Sequence, residues 1–208
     1  MINVALVVGH KQSKPGAVNI TTGITEYHFN CRVVEDVINV IRGLNIIQDS
    51  LYLRFNDIEK FLTINNTNTR LNVYPVMRDG IRYYQLPSRI NKTNPDFIVS
   101  FHANAFNRKA SGSEVLYYNS SKVGMKLASI FKERIIKTLC LEDRGVKAIY
   151  DDDRGALVLR DTKAPCVLIE PFFIDNDDNM RVVLSKYSLF IESIVDSILT
   201  VSKEFFNG

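Results

Sequence analysis

Three short, largely apolar segments constrain the fold of this chain more than any other feature of its sequence. They cover residues 4–8 (Val-Ala-Leu-Val-Val), 96–101 (Asp-Phe-Ile-Val-Ser-Phe) and 166–169 (Cys-Val-Leu-Ile). Apolar runs of strand length, without regular polar alternation, are typical of strands that are covered on both faces. Weaker strand patterns occur over residues 71–77 and 113–118, and Pro75 favours an edge position for the former.

Amphipathic helix patterns separate these strands. Apolar side chains recur on one helix face over residues 29–41, 123–135 and 190–205. Strands that alternate with helices of this length indicate βα units, so we predict an α/β fold with a mostly parallel central sheet and helices on both faces. The 208 residues contain no obvious linker and fit a single domain. Residues 43–70 fit the pattern least well, and we interpret them as an insertion.

Composition excludes several classes of protein. The 26 basic and 23 acidic residues give a net charge of +3, too mild for a dedicated nucleic-acid binder. The three cysteines show no C-x-x-C spacing, which argues against a disulfide framework or a thiolate metal cluster. No apolar stretch is long enough to span a bilayer, and the N-terminal run indicates a strand and not a signal peptide. We therefore expect synthesis in the cytoplasm and no membrane insertion.

A polar side chain follows or ends each of the three strong strands. These residues are His10, His102 and Glu170. In an open parallel sheet, ligands collect at the carboxyl ends of the strands. If the three strands are parallel neighbours, their polar side chains share one edge of the sheet.

Glu26 is the fourth candidate at this edge. It lies three residues before Phe29, on the side of the helix that faces the sheet, and directly after Thr25, a plausible N-cap. The loop over residues 11–24 leaves the first strand at its carboxyl end, so the helix begins near the same edge. The helix dipole favours an ionised carboxylate at this position.

Together these residues predict a metal site. Two imidazoles and one carboxylate are the ligand set of a catalytic zinc ion with an open fourth position, and Glu170 would serve as the base for its water. Taken singly, each residue has a plainer interpretation. A histidine at a strand end is commonly capped or solvated, Glu26 suits a dipole partner, and Glu170 suits an ion pair. The expected convergence of all four favours the metal site.

Other candidate residues fit a structural role better. His28 lies about 200° around the helix from Glu26, so the two cannot face one ion from a regular helix. The acidic run 151–153 suits a solvated turn, although a hard cation is the alternative. The cysteines suit buried apolar positions, Cys166 above all. The sequence lacks G-x-G-x-x-G, a Walker loop and G-x-S-x-G.

At these residues the chain resembles the zinc-dependent N-acetylmuramoyl-L-alanine amidases known as type 3 amidases. It is most similar to the single-domain catalytic modules of phage and prophage endolysins. The matching blocks occur in order at residues 8–10, 15–17, 26, 94–105, 112–118, 144–147, 157–160 and 165–176. The stretch over residues 43–70 has no clear counterpart in the family.

The resemblance implies a role for each site residue. His10, Glu26 and His102 would bind one zinc ion, Glu170 would be the catalytic carboxylate, and Asn104 would contact substrate. The chain departs from the family where Asp-Pro-Gly-His-Gly-Gly becomes Val-Val-Gly-His-Lys-Gln, and where Gly-Phe after the catalytic glutamate becomes Pro-Phe-Phe. These changes line the crevice and bear on substrate preference.

The resemblance also implies a substrate. We expect hydrolysis of the amide bond between N-acetylmuramic acid and L-alanine in peptidoglycan, by a protein made in the host cytoplasm that reaches the cell wall after release. A zinc peptidase that acts on stem or free peptides is one alternative. A wall-binding module without activity is another.

Overall fold

The structure, a computed structural model, describes residues 1–49 and 70–206. Within these ranges the strands are β1 (Ile2–Val8), β2 (Leu71–Val76), β3 (Phe97–Phe101), β4 (Ser113–Tyr118), β5 (Asp143–Ile149) and β6 (Cys166–Glu170). The helices are α1 (Glu26–Asp49), α2 (Leu86–Asn91), α3 (Lys122–Leu139), α4 (Ala156–Asp161), α5 (Asp177–Ser185) and α6 (Tyr187–Val201). A 3₁₀ turn at Tyr83–Gln85 precedes α2, and a π turn at Ser202–Phe206 follows α6.

The strands form one sheet in the order β2-β1-β3-β6-β4-β5. β1 pairs in parallel with β2 and β3, and β3 pairs in parallel with β6. β4 pairs antiparallel with β6, whereas β5 is parallel to β4. The carboxyl ends of β1, β3 and β6 therefore meet the amino ends of β4 and β5 along one border, which we call the site edge.

Helices cover the two faces of the sheet unequally. Alternate side chains such as Leu6 and Val99 pack on one face against the long helices α1, α3 and α6. The intervening residues, among them Val7 and Leu168, pack on the other face against the short helices α2 and α4. Because α2 and α4 have only six residues each, this second face is only partly covered. A pocket opens there and extends to the site edge.

The predicted fold class is confirmed. The five predicted strands form, and β2, which contains Pro75, lies at one end of the sheet. β5 is not apparent in the sequence because most of its side chains are polar or only half-buried. α1 continues through Asp49, and most of the interpreted insertion lies outside the described residues, so that interpretation stays a prediction. In the described ranges, no helix combines the length and apolar character that crossing a bilayer requires.

Candidate active site

Three of the four expected residues converge at the site edge. The Nε2 atom of His10 lies 2.9 Å from Oε2 of Glu26, and Nδ1 of His102 lies 2.9 Å from Oε1 of the same carboxylate. One ligand atom from each of the three residues lies within 4.8 Å of the others. Two imidazole nitrogens and one carboxylate oxygen at this separation could hold a divalent ion such as zinc.

Two glycines allow the chain to bring these side chains together. Gly9 donates a backbone hydrogen bond of 2.9 Å to the carbonyl of Phe101, and a Cβ atom at position 9 would lie 2.5 Å from that oxygen and 2.7 Å from the ring of His102. Gly16 has a φ of +80°, and a Cβ atom there would lie 2.6 Å from Oε2 of Glu26 and 2.9 Å from the ring of His10. A larger residue at position 16 would therefore collide with two of the three converging side chains.

Glu26 is the centre of this arrangement. It opens α1, is 4% exposed, and accepts a hydrogen bond of 3.2 Å from the backbone N–H of Ala103. Burial raises its pKa, but the hydrogen bonds with His10 and His102 outweigh burial and lower the pKa to about 2. The carboxylate is consequently ionised at neutral pH and holds both imidazole rings in place.

Glu170 is the last residue of β6. This strand pairs with β3, and His102 directly follows β3. Its Oε2 atom is buried without a hydrogen-bond partner among the described residues. Burial raises its pKa to about 8, the negative charges of Glu26 and Glu114 add to the rise, and Arg154 partly opposes it. An unpartnered carboxyl that titrates near neutral pH has the properties of a general acid or base.

Asn104 belongs to a hydrogen-bonded chain beside Glu170. Its Nδ2 donates to Oε1 of Glu114 over 2.7 Å, and Nε of Arg144 donates to the other oxygen of Glu114 over 3.0 Å. The antiparallel direction of β4 places Glu114 directly opposite Glu170. Glu114 occurs in a matching family block, yet its contacts were not predicted, because they depend on the direction of β4.

One pocket with a volume of about 850 Å³ is lined by His10, Glu26, His102, Asn104, Glu114 and Glu170. The lining also includes Arg78, Tyr83 and Arg154, which sequence reasoning missed because they lie in loops and a 3₁₀ turn without a periodic pattern. His28 is not among the lining residues and shares a hydrogen bond of 2.8 Å with Thr25. The cysteines are also absent from the described lining.

The acidic run over residues 151–153 forms a turn. Asp151 accepts a hydrogen bond from the hydroxyl of Tyr118, and Asp153 accepts one from the backbone of Tyr150. These contacts agree with the expectation of a turn.

The fold and the pocket together define a class of protein. The mostly parallel sheet brings two histidines, one ionised glutamate and a second, unpartnered glutamate to one pocket. This arrangement is the framework of a candidate metallohydrolase. The sequence profile of the N-acetylmuramoyl-L-alanine amidase family matches residues 4–200, and the chain belongs to that family.

Individual relatives agree with this assignment. The chain is 38% identical over 96 residues to an uncharacterized cell wall amidase of Bacillus anthracis, a match covering 41% of the chain and 17% of the relative. It is 34% identical over 130 residues to the endolysin of Bacillus phage SPP1, covering 57% of the chain and 44% of the relative. The chain thus spans less than half the length of either.

The fold is shared with solved amidase structures. The N-acetylmuramoyl-L-alanine amidase from Clostridium difficile 630 matches with a TM-score of 0.74 at 19% identity, and the match covers 98% of each chain. At this identity the likeness establishes the α/β fold, including the mostly parallel sheet.

Proposed function

We propose that this chain is a zinc-dependent N-acetylmuramoyl-L-alanine amidase that hydrolyses the amide bond between N-acetylmuramic acid and L-alanine in peptidoglycan. The observation that carries the proposal is the approach of the ligand atoms of His10, Glu26 and His102 to within 4.8 Å in one pocket with Glu170. Family membership over residues 4–200 supports the substrate. The likeness to a phage endolysin supports action on the wall after release from the producing cell.

The residues at the site edge fit a zinc ion. His10 and His102 would contribute ring nitrogens, and Glu26 would contribute a carboxylate that is already ionised. When bound, zinc would supply a Lewis acid that polarises the amide carbonyl and lowers the pKa of water. The hydrogen bonds to Glu26 hold both rings close together before any ion binds, which reduces the cost of ordering the ligands.

Glu170 would carry the proton in the reaction. As the water oxygen bonds to the lactyl carbonyl carbon, Glu170 accepts a water proton and then donates it to the nitrogen of L-alanine as the C–N bond breaks. The products are a lactyl carboxylic acid and a free amine. In the metal-free protein burial raises the pKa of Glu170 to about 8, and the positive charge of a bound zinc ion would favour the ionised form that accepts the water proton.

Asn104 would bind substrate beside this carboxyl. Its hydrogen bond to Glu114 fixes the orientation of the amide group, and the pairing of Glu114 with Arg144 fixes Glu114 in turn. Because these hydrogen bonds already fix the Asn104 side chain, it loses little conformational entropy when it binds a ligand.

Digestion of purified peptidoglycan tests the proposal. With zinc present, an amidase releases intact stem peptides that begin with L-alanine and creates no new reducing ends. Mass spectrometry identifies the released peptides and shows whether the glycan chains have been cut. A zinc peptidase would instead cut within the stem peptide. A wall-binding module would sediment with the walls and release nothing, including when zinc is in excess. Either of the last two results refutes the proposed function.

A further inference from the structure

Arg78, Tyr83 and Arg154 line the pocket in addition to the candidate metal site, and we call them the basic wall. Arg78 lies in the loop after β2, Tyr83 in the turn before α2, and Arg154 in the loop between β5 and α4. All three line the same pocket as His10, Glu26, His102 and Glu170. A ligand held by the basic wall would therefore share the pocket with an amide at the metal site.

The positive charges of Arg78 and Arg154 lack a counterion in the described part of the chain. The buried Nε of Arg78 has no hydrogen-bond partner there, and the guanidinium stacks 5.2 Å from the centre of the Tyr83 ring. Arg154 is exposed and has no hydrogen bond or ion pair with a described residue. Both charges act on the hydroxyl of Tyr83 and oppose the rise that burial causes in its pKa.

The other charged residues of this wall already have partners. Asp151 accepts a hydrogen bond from Tyr118 and lies 3.6 Å from Arg160, and Arg160 also pairs with Asp161 over 2.6 Å. Asp153 accepts from the backbone of Tyr150. Arg78 and Arg154 are therefore the cations of this wall that remain available to a ligand.

We propose that Arg78, Tyr83 and Arg154 form a subsite for a free carboxylate of the stem peptide, a proposal that rests on the proposed amidase function. A guanidinium binds a carboxylate through two parallel hydrogen bonds between opposite charges, whereas a carboxamide offers one uncharged acceptor oxygen and an NH₂ group that cannot accept. The Tyr83 ring holds the Arg78 guanidinium in place, and its hydroxyl is a further donor. The enzyme would accordingly prefer peptidoglycan whose stem peptides carry free carboxylates over amidated peptidoglycan.

The test compares two forms of one substrate. Peptidoglycan freed of phosphate-bearing polymers is divided, and the carboxylates of one half are converted to carboxamides with carbodiimide and ammonium chloride. The release of L-alanine amino termini gives kcat/KM on each half. For the zinc-loaded protein we expect a preference for the carboxylate form of roughly tenfold or more, the size of a charge-assisted hydrogen bond.

Two variants and one control assign the preference to the subsite. Arg78→Gln and Arg154→Gln should each reduce the carboxylate-to-carboxamide ratio severalfold. The ratio is the readout because Arg154 also affects the pKa of Glu170, which alters the rates on both substrates. Arg181→Gln removes an equal charge from an exposed pair with Asp178, outside the described pocket lining, and should retain the ratio of the unmodified protein.

The outcomes separate the two proposals. Equal cleavage of both forms refutes the subsite and leaves the amidase function standing. If the Arg78→Gln and Arg154→Gln variants keep the preference, the subsite is also refuted. Failure to cut either form at the muramoyl–alanine amide refutes the amidase function, and the subsite with it. If the preference disappears when phosphate-bearing wall polymer is added, the subsite binds phosphate instead.

Discussion

Replacing Glu170 by glutamine tests the electrostatics of the pocket, because it removes a titratable group and keeps nearly the same volume. In the metal-free protein, burial and the neighbouring carboxylates raise the pKa of Glu170 to about 8. The carboxyl of Glu170 therefore destabilises the folded state at every pH at which it would be ionised in the unfolded chain. We expect Glu170→Gln to be more stable than the unmodified protein at alkaline pH and to lose nearly all turnover.

The size of the effect follows from the pKa change. A rise from 4.5 to about 8 corresponds to at most roughly 5 kcal/mol, at about 1.4 kcal/mol per pKa unit. Since Glu170 is partly open to the water of the pocket, we expect about 1–3 kcal/mol at pH 8.5. A group whose pKa rises on folding costs stability between its two pKa values. The difference in unfolding free energy between Glu170→Gln and the unmodified protein should thus be near zero below pH 4.5, grow up to pH 8 and then stay constant.

Urea unfolding of chelator-treated protein at pH 5 and pH 8.5 measures this difference. Glu192→Gln is the matched control, because Glu192 is exposed on α6 and should give the same stability change at both pH values. If the stability difference between Glu170→Gln and the unmodified protein is the same at pH 5 and pH 8.5, the electrostatic argument is refuted. Retained zinc with lost turnover would separate the role of Glu170 from metal binding.

Three further predictions concern the residues around the candidate metal site. His102→Ala should lower zinc affinity by about tenfold or more, as measured by mass spectrometry of bound metal, whereas His28→Ala should bind zinc fully. Gly16→Ala should lose zinc binding and turnover, while Gly23→Ala, with a similar φ of +73° but no atom within 4 Å of its Cβ, should show only the backbone strain. Glu114→Ala should reduce kcat/KM about tenfold and keep its zinc, because it frees the Asn104 side chain that we propose binds substrate.

Each of these predictions has a contradicting result. Equal zinc binding by the two histidine variants would remove His102 from the ligand set. Equal losses in the two glycine variants would show that backbone strain, and not crowding of the site, limits position 16. Unchanged kcat/KM in Glu114→Ala would mean that Asn104 needs no support from its hydrogen-bond partner.

Some parts of the architecture were predictable because the information is local. The residues of β3 are all buried, and such continuous apolar runs identify strands without knowledge of their partners. The grouping of His10 with His102 then followed from one rule, that ligands collect at the carboxyl ends of parallel strands. Glu26 followed from its place at the start of a helix that returns to the same edge.

The parts that were not predictable depend on distant contacts. Side-chain periodicity does not encode strand direction, so the antiparallel pairing of β4 with β6, and with it the position of Glu114 opposite Glu170, was not evident. β5 presents mainly polar and half-buried residues and so carries little strand signal. Arg78 and Arg154 lie in loops, and only the assembled sheet brings them to the same wall.

The place of β6 in the sheet has a consequence for the cell that synthesises this protein. β6 lies between β3 and β4, although it comes last along the chain among the described strands. While the ribosome is still elongating the polypeptide, His10, Glu26 and His102 emerge well before the strand that ends in Glu170. A nascent chain consequently lacks the group proposed for proton transfer, and the proposed hydrolytic activity arises only after β6 has left the ribosome.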